Sequence, residues 1–267
     1  FTYMKKITLA LVACIFSMLS MSVKAVEVAD IAAFITAANT AELVTITGTV
    51  NIAYVNEYTT SDGSERSNVF LQDASGWIMM YSTSHTGLTN GQALTGLQGK
   101  YKLNYGASQI VEAVIPTATS GPIVSPTFIT IPSLTNDHIN RYIMVKDVSI
   151  IERVEGKYTN KYAVDADGNE LWIYDKFKTN LDVIVGHTYD LVGILTSFNN
   201  KLELGFTAVT DKGSGIEELQ LQGIEYDGEM IQNPNGVEIS LYSVSGQQLM
   251  LTTGNMDLSE LHSGVYI

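Results

Sequence analysis

The chain has one cysteine, five prolines and two tryptophans in 267 residues, and only 16% of it is charged. A single cysteine excludes a disulfide framework and any zinc site built on cysteine pairs. Cations are scarce as well: 15 Lys and Arg stand against 28 Asp and Glu, for a net charge of −13. That balance argues against a general polyanion binder, because affinity for nucleic acid rests on cations that neutralise phosphates. Low charge does not mean disorder here. A hydrophobic fraction of 45% lets the chain bury enough surface to offset its ordering entropy. The 22 glycines, with β-branched and aromatic residues recurring between them, point to an all-β chain with many tight turns.

Catalytic signatures are missing too. His85, His138, His187 and His262 are scattered, none with a partner at the spacing that places two imidazoles on one metal. There is no Gly-x-Ser-x-Gly elbow and no phosphate-binding Gly-rich loop with its Lys. Asp165-Ala166-Asp167-Gly168 has its glycine two positions too early for a calcium loop, and Lys176 stands where the bidentate Glu belongs. Asp-Gly-Asn between two strands reads instead as a β-turn. The expectation is a non-enzymatic protein without metal or cofactor.

The N-terminus reads as an address. Met4-Lys5-Lys6 supplies a positive start, Ile7 to Val23 an apolar run, and Val23 and Ala25 the small residues that precede a cut before Val26. This is the pattern of a secretory signal peptide, with Phe1 to Tyr3 upstream of the true start and no transmembrane span in the mature chain. Two rivals share the segment. One is an uncleaved anchor, for which the run is short. The other is a lipoprotein signal at Leu11-Val12-Ala13-Cys14, although Ile15 and Phe16 follow where polar residues are usual.

Charge and proline placement divide the rest. Residues 1–26, 27–120, 121–211 and 212–267 carry nets of +3, −5, −4 and −7. Pro116, Pro122, Pro126 and Pro132 cluster around Ser120-Gly121, and Asp211 to Gly215 forms a second break. The boundaries drawn are a signal peptide over 1–25, a first β module with a leading helix over 26–119, a linker over 120–135, a second β module over 136–211, and a tail over 212–267. The helix is placed at Ala29 to Ala41, where Ile31, Phe34, Ile35 and Ala38 fall on one face.

The two modules form a loose repeat. Leu43 to Val50 matches Tyr142 to Val148, and Val69 to Gly76 matches Tyr162 to Gly168. Trp77 to Tyr81 matches Leu171 to Tyr174, and Leu97-Gln98-Gly99 matches Val192-Gly193. The closing hairpins turn at Tyr105-Gly106 and Asn199-Asn200. Five strands per unit suit a small closed barrel in which every edge is paired. In this order the motifs resemble the OB-fold-type domains common in exported Bacteroidota-type proteins, which implies two five-stranded barrels in tandem.

The tail runs as an alternating strand from Gly236, a turn at Ser245-Gly246 and a return, then Asp257-Leu258-Ser259 through Leu261 to Gly264-Val265-Tyr266-Ile267. With Tyr242, Gly246, Leu261, Gly264 and Tyr266 as its marks, it resembles the C-terminal sorting domain of the type IX secretion system, an Ig-like β-sandwich. That family continues beyond the position of Ile267 with a further hairpin and basic residues, so the domain is read as truncated. The resemblance implies the type IX machinery as a partner and a destination in the medium or on the outer-membrane surface, reached through the periplasm.

For a ligand, period-2 alternation puts Trp172 and Tyr174 on one face of a strand and Leu171 and Ile173 on the other. With the aliphatic pair inward, the two rings point outward beside Lys176 and Lys178 and can stack on sugars or bases. Tyr81, beside Met79 on the matching strand, and Tyr105 complete the candidates. The opposing expectation is that these rings pack against the linker or the neighbouring module. Together these readings describe an exported, non-catalytic binding or adhesion protein with a glycan or protein ligand. The alternatives are a single-stranded nucleic-acid binder, for which only the second module and its 8 bases qualify, or the accessory part of a secreted nuclease or hydrolase.

Overall fold

A computed structural model describes residues 26–199, 201–213, 223–227, 229–243, 247–259 and 261. The expected signal segment up to Ala25, the turn residue Gly246, and Gly264 and Tyr266 lie outside the described residues, whereas Val26 begins the first strand. Two compact units emerge, residues 26–125 with 136–142, and residues 126–135 with 143 onward.

In the first unit, β1 (Val26–Val28) pairs in parallel with β2 (Val44–Thr59). Next come β3 (Glu65–Gln72), β4 (Trp77–Ser82), β5 (Gln92–Asn104) and β6 (Ala107–Val114). The strands close in the order β2-β3-β4-β6-β5-β2, with β4 and β6 parallel. First, second, third, fifth and fourth strand round a ring is the OB arrangement, which leaves no open edge. Alternation drives it: Val44, Ile46, Val50 and Ile52 point inward and meet Val69, Leu71, Ile78, Met80, Leu94 and Leu97.

The helix, α1 (Ile31–Ala37), is shorter than the expected Ala29–Ala41. Asp30 caps its start by accepting from Ala33 N, and Asp73 of the β3–β4 turn accepts from Ile31 N at 2.9 Å. It stops because Ala38 takes a left-handed φ of 43° and Asn39 Oδ1 then accepts from Ala41 N and Glu42 N. Ile31 and Phe34 still reach the barrel core as their spacing predicts.

The proline stretch is not a free linker. β7 (Thr119–Ser120) pairs with β5, and Asn90 holds Val124 through both its N–H and its C=O. β8 (Thr127–Phe128) pairs instead with β9 (Tyr142–Glu155), and Ile129 and Ile131 enter the second core.

The second unit repeats the barrel. β9, β10 (Tyr158–Val164), β11 (Glu170–Tyr174), β12 (Thr188–Phe198) and β13 (Lys201–Asp211) close as β9-β10-β11-β13-β12-β9, with β11 and β13 parallel. Plain alternation from Ile143 and Val145 would turn Asp147 inward. The backbone avoids this at Asp147 itself, which takes φ 54°, and the parity shifts so that Val148 and Ile150 are buried. Its amide is held by Asp190 Oδ1 at 3.0 Å.

The repeated glycine also has a structural reason. Both Gly99 and Gly193 sit at a register shift in the fourth barrel strand. A Cβ on Gly193 would meet Gly205 O and lie 2.7 Å from Phe206 Cα. Asp165 Oδ1 accepts from Asp167 N and Asn169 N, so this carboxylate organises the Asp-Gly-Asn turn.

In the tail, β14 (Glu225–Tyr226), β15 (Met230–Gln232) and β18 (Met256–Asp257) form one small sheet; β16 (Ile239–Tyr242) and β17 (Gln248–Thr252) form another. Buried Asn233 joins the segments, its Nδ2 donating to Val237 O and Thr253 O. Of the sorting marks, Tyr242 ends β16 and Leu261 is half-buried. Among the described residues, no helix is long and apolar enough to cross a membrane.

Candidate functional site

In an OB barrel the outer face of the second and third strands, flanked by the first and fourth hairpin loops, is where oligonucleotides and oligosaccharides bind. In the second unit this face belongs to β10 and β11, and the loops to residues 155–158 and 198–201. A groove of about 1010 Å³ lies there, lined by Tyr158, Trp172, Tyr174, Phe198, Lys176 and Glu203 among others.

The sequence places the rings directly. Leu171 and Ile173 are buried in the core, so Trp172 and Tyr174 face outward, Trp172 half-buried and Tyr174 57% exposed. Phe198, at the end of β12, meets Trp172 edge to face at 5.7 Å and 69°. With Tyr158 62% exposed at the opposite hairpin, the groove carries four exposed or half-buried aromatic rings above a fifth, the buried Phe206.

The long loop after β11 forms a wall of the groove. Asp175 ties it by accepting from Thr179 N, Thr179 Oγ1 and Asn180 N. Phe177 seats on Gly205, where a side chain would collide with its ring. Lys176 thereby reaches Glu203 Oε1 at 2.9 Å. Glu203 is buried, and Thr196 Oγ1 also donates to Oε1 at 2.9 Å. Lys161 donates to Val183 O at 2.7 Å and lies 3.5 Å from Asp182 Oδ1.

At the hairpin end, Tyr162 Oη donates to Glu155 Oε1 at 2.6 Å and Asn160 Nδ2 donates to Oε2 at 3.1 Å. The Tyr162 bond holds the Glu155 carboxyl below its ordinary 4.5, with help from the Lys201 charge and Asn160. Burial pushes the Tyr162 hydroxyl up, and the neighbouring carboxylate adds to this. A depressed carboxyl pKa stabilises the fold fully above the unfolded value and loses that stabilisation as pH falls through the folded one. Unfolding midpoints of the second barrel should therefore drop below pH 4.5, and Glu155→Gln should flatten that acid limb. A limb of unchanged slope in the variant would rule out this coupling.

The residues singled out from the sequence fall into two groups. Trp172, Tyr174 and Lys176 converge on the groove. Lys178 is exposed, with φ 53°, and does not line it. Tyr81 and Tyr105 belong to the first unit. There Met79 is buried, Tyr81 is half-buried, and Tyr105 is 79% exposed at a hairpin tip. Trp77, on the same face of β4, donates Nε1–H to Asp137 O at 3.0 Å, stacks on His138 at 6.1 Å, and lies under Arg141 at 4.4 Å. The first unit thus uses its tryptophan internally. His138 serves as a stacking partner of Trp77, and His187 lies 3.0 Å from Asp211 Oδ2.

Glu203, Phe198 and Tyr158 were missed. Alternation around buried Leu204 turns Glu203 outward, but only the parallel β11–β13 register sets it beside Trp172. Among the described residues, no group of three His, Cys, Asp or Glu side chains could hold a metal ion.

No protein-family model matches the chain, and no curated protein matches it. Among solved structures it is similar to p202 HIN1 in complex with 12-mer dsDNA, at 20% identity and TM-score 0.36, over 62% of this chain and 90% of that one. It is similar to the Ifi202 HINa domain in complex with 20 bp dsDNA at 15% identity and TM-score 0.36, over 64% and 99% of the two chains. A replication protein A heterotrimer bound to ssDNA matches at 13% identity and TM-score 0.27, over 66% of this chain and 50% of that one. Similarity at these scores carries no functional weight; the OB assignment of both barrels stands on their strand order and closure.

Proposed function

We propose that this is an exported, non-catalytic binding protein whose second barrel takes a glycan chain along the β10–β11 face. The observation that carries the reading is the groove itself, where Trp172, Tyr174, Phe198 and Tyr158 offer rings at the place where OB barrels receive extended ligands. Its polar groups suit an uncharged partner, because Lys176 and Lys161 are already engaged by carboxylates. The delivery half of the proposal rests on Lys5-Lys6, the apolar run to Val23, the cut after Ala25 and the tail from Gly236. It includes the type IX machinery as a partner and a destination outside the outer membrane.

A second reading, single-stranded nucleic-acid binding, is favoured by the same rings together with Lys157 and Lys201 at the two hairpin tips. Titration calorimetry with neutral oligosaccharides and with a dodecathymidylate, each at two salt concentrations, separates the two. Binding to a neutral sugar that ignores salt supports the glycan reading. A thymidylate complex that weakens steeply with salt would replace it with the second.

A further inference from the structure

The fold does not require a charge at the position of Glu203. In the first barrel the matching register position, beside Met79 on the parallel strand, is Gln109, which is also buried. The second barrel puts a carboxylate beside Trp172 instead, only 4% exposed, and sets an ammonium over it. Burying a carboxylate is costly unless it is paired, so the pair needs a reason beyond packing. Both hydrogen bonds to the carboxylate, from Lys176 Nζ and Thr196 Oγ1, go to Oε1; among the described residues none goes to Oε2.

Lys176 keeps 37% of its side chain exposed and lines the groove. One of its N–H groups is spent on Glu203, and an ammonium carries three. The remaining two are directed donors at the foot of an aromatic wall, on a pair whose total charge is zero. The other charges along the groove do not favour an anion. Lys161 lies 3.5 Å from Asp182 Oδ1, the Lys201 charge acts on Glu155, and Asp175 adds a third carboxylate to the lining.

From this geometry, and resting on the glycan reading above, we infer that the Lys176–Glu203 pair is the specificity element of the groove, selecting an uncharged, hydroxyl-rich sugar stacked on Trp172 and rejecting anionic chains. The carboxylate cancels the charge that would attract a polyanion, and it aims the lysine donors at sugar oxygens. Removing that charge while keeping the shape should reverse the preference.

The test uses the full chain and its variants Glu203→Gln, Trp172→Ala and the double variant Lys176→Met with Glu203→Gln, each checked for folding by thermal melting. The double variant leaves no buried unpaired charge. Probes are glucan, mannan and xylan hexasaccharides, an oligogalacturonate of the same length, and a dodecathymidylate. The wild type should bind a neutral hexasaccharide and prefer it to both anionic probes. Glu203→Gln should lose neutral affinity by about tenfold, the scale of a charge-assisted hydrogen bond, and gain salt-sensitive binding of oligogalacturonate. The double variant should lose the first without gaining the second.

If Trp172→Ala abolishes binding while Glu203→Gln behaves as wild type, the groove reading stands and the specificity assignment falls. A wild type that prefers oligogalacturonate also overturns the assignment alone, whereas one that prefers the dodecathymidylate overturns the glycan reading and the assignment together. Trp172→Ala without effect, or no binding of any probe, overturns the groove reading and the assignment together.

Discussion

Gly193→Ala is expected to cost the second barrel about 3 kcal/mol or more, at the upper end of what overpacking a tight site does. The added methyl would collide with Gly205 O and lie 2.7 Å from Phe206 Cα, and both are backbone atoms of the paired strand β13. A flexible side chain could rotate away; a hydrogen-bonded strand cannot. Relief requires separating β12 from β13 at the register shift between Val192 and Gly193. For a barrel of this size, the loss corresponds to a fall of roughly 12–24 °C in its melting midpoint. Differential scanning calorimetry on the full chain reads it directly. A fall of less than about 4 °C, equivalent to about 1 kcal/mol, would mean that the strands at this bend separate more easily than their pairing implies.

Trp172→Ala should act on binding more than on folding. A tryptophan at the centre of a binding face typically contributes about 2 kcal/mol, close to thirtyfold in Kd. Trp172 has this position: its ring is braced edge to face by Phe198, and Lys176 and Glu203 share its groove. Its structural contribution is smaller. The side chain is only half-buried, and the contact with Phe198 is worth about 0.5–1.5 kcal/mol. The variant should therefore keep a cooperative melt while its neutral-sugar affinity falls. Tyr81→Ala, on the matching strand of the first unit, should leave binding unchanged because it does not line the groove. Equal losses in the two variants would move the site away from β11.

Both expectations depend on differences between two barrels built from one plan. On the third strand of each, an outward face carries Trp77, Met79 and Tyr81 in one barrel and Trp172 and Tyr174 in the other. In the first, residues Asp137, His138 and Arg141 engage Trp77. In the second, the loop from Asp175 to Val183 borders the rings and leaves a groove. The linker over 120–135 is divided after Ser125, with Ile129 and Ile131 in the second core, and residues 136–142, drawn from the sequence as the start of the second module, belong to the first unit.

Much of this was legible from residue order. Alternation at Leu171 to Tyr174 separates core from surface, because successive side chains of a strand must point to opposite faces. The hairpin turns at Tyr105-Gly106 and Asp165 to Asn169 follow from backbone conformations that few residues tolerate. These are short-range properties, and the covalent chain determines them by itself. Other features depended on partners distant in sequence. The reversal of parity at Asp147 depends on Asp190 of β12 accepting its amide hydrogen, and the chain leaving α1 is held by Tyr101 N of β5 donating to Asn39 O. Glu203 becomes part of a site only because β13 pairs with β11 in parallel and in one register. A shift of one residue would turn Leu204 toward Trp172 and Glu203 into the core. Local geometry settled which side chains face outward, and closure of the barrel decided which of them meet.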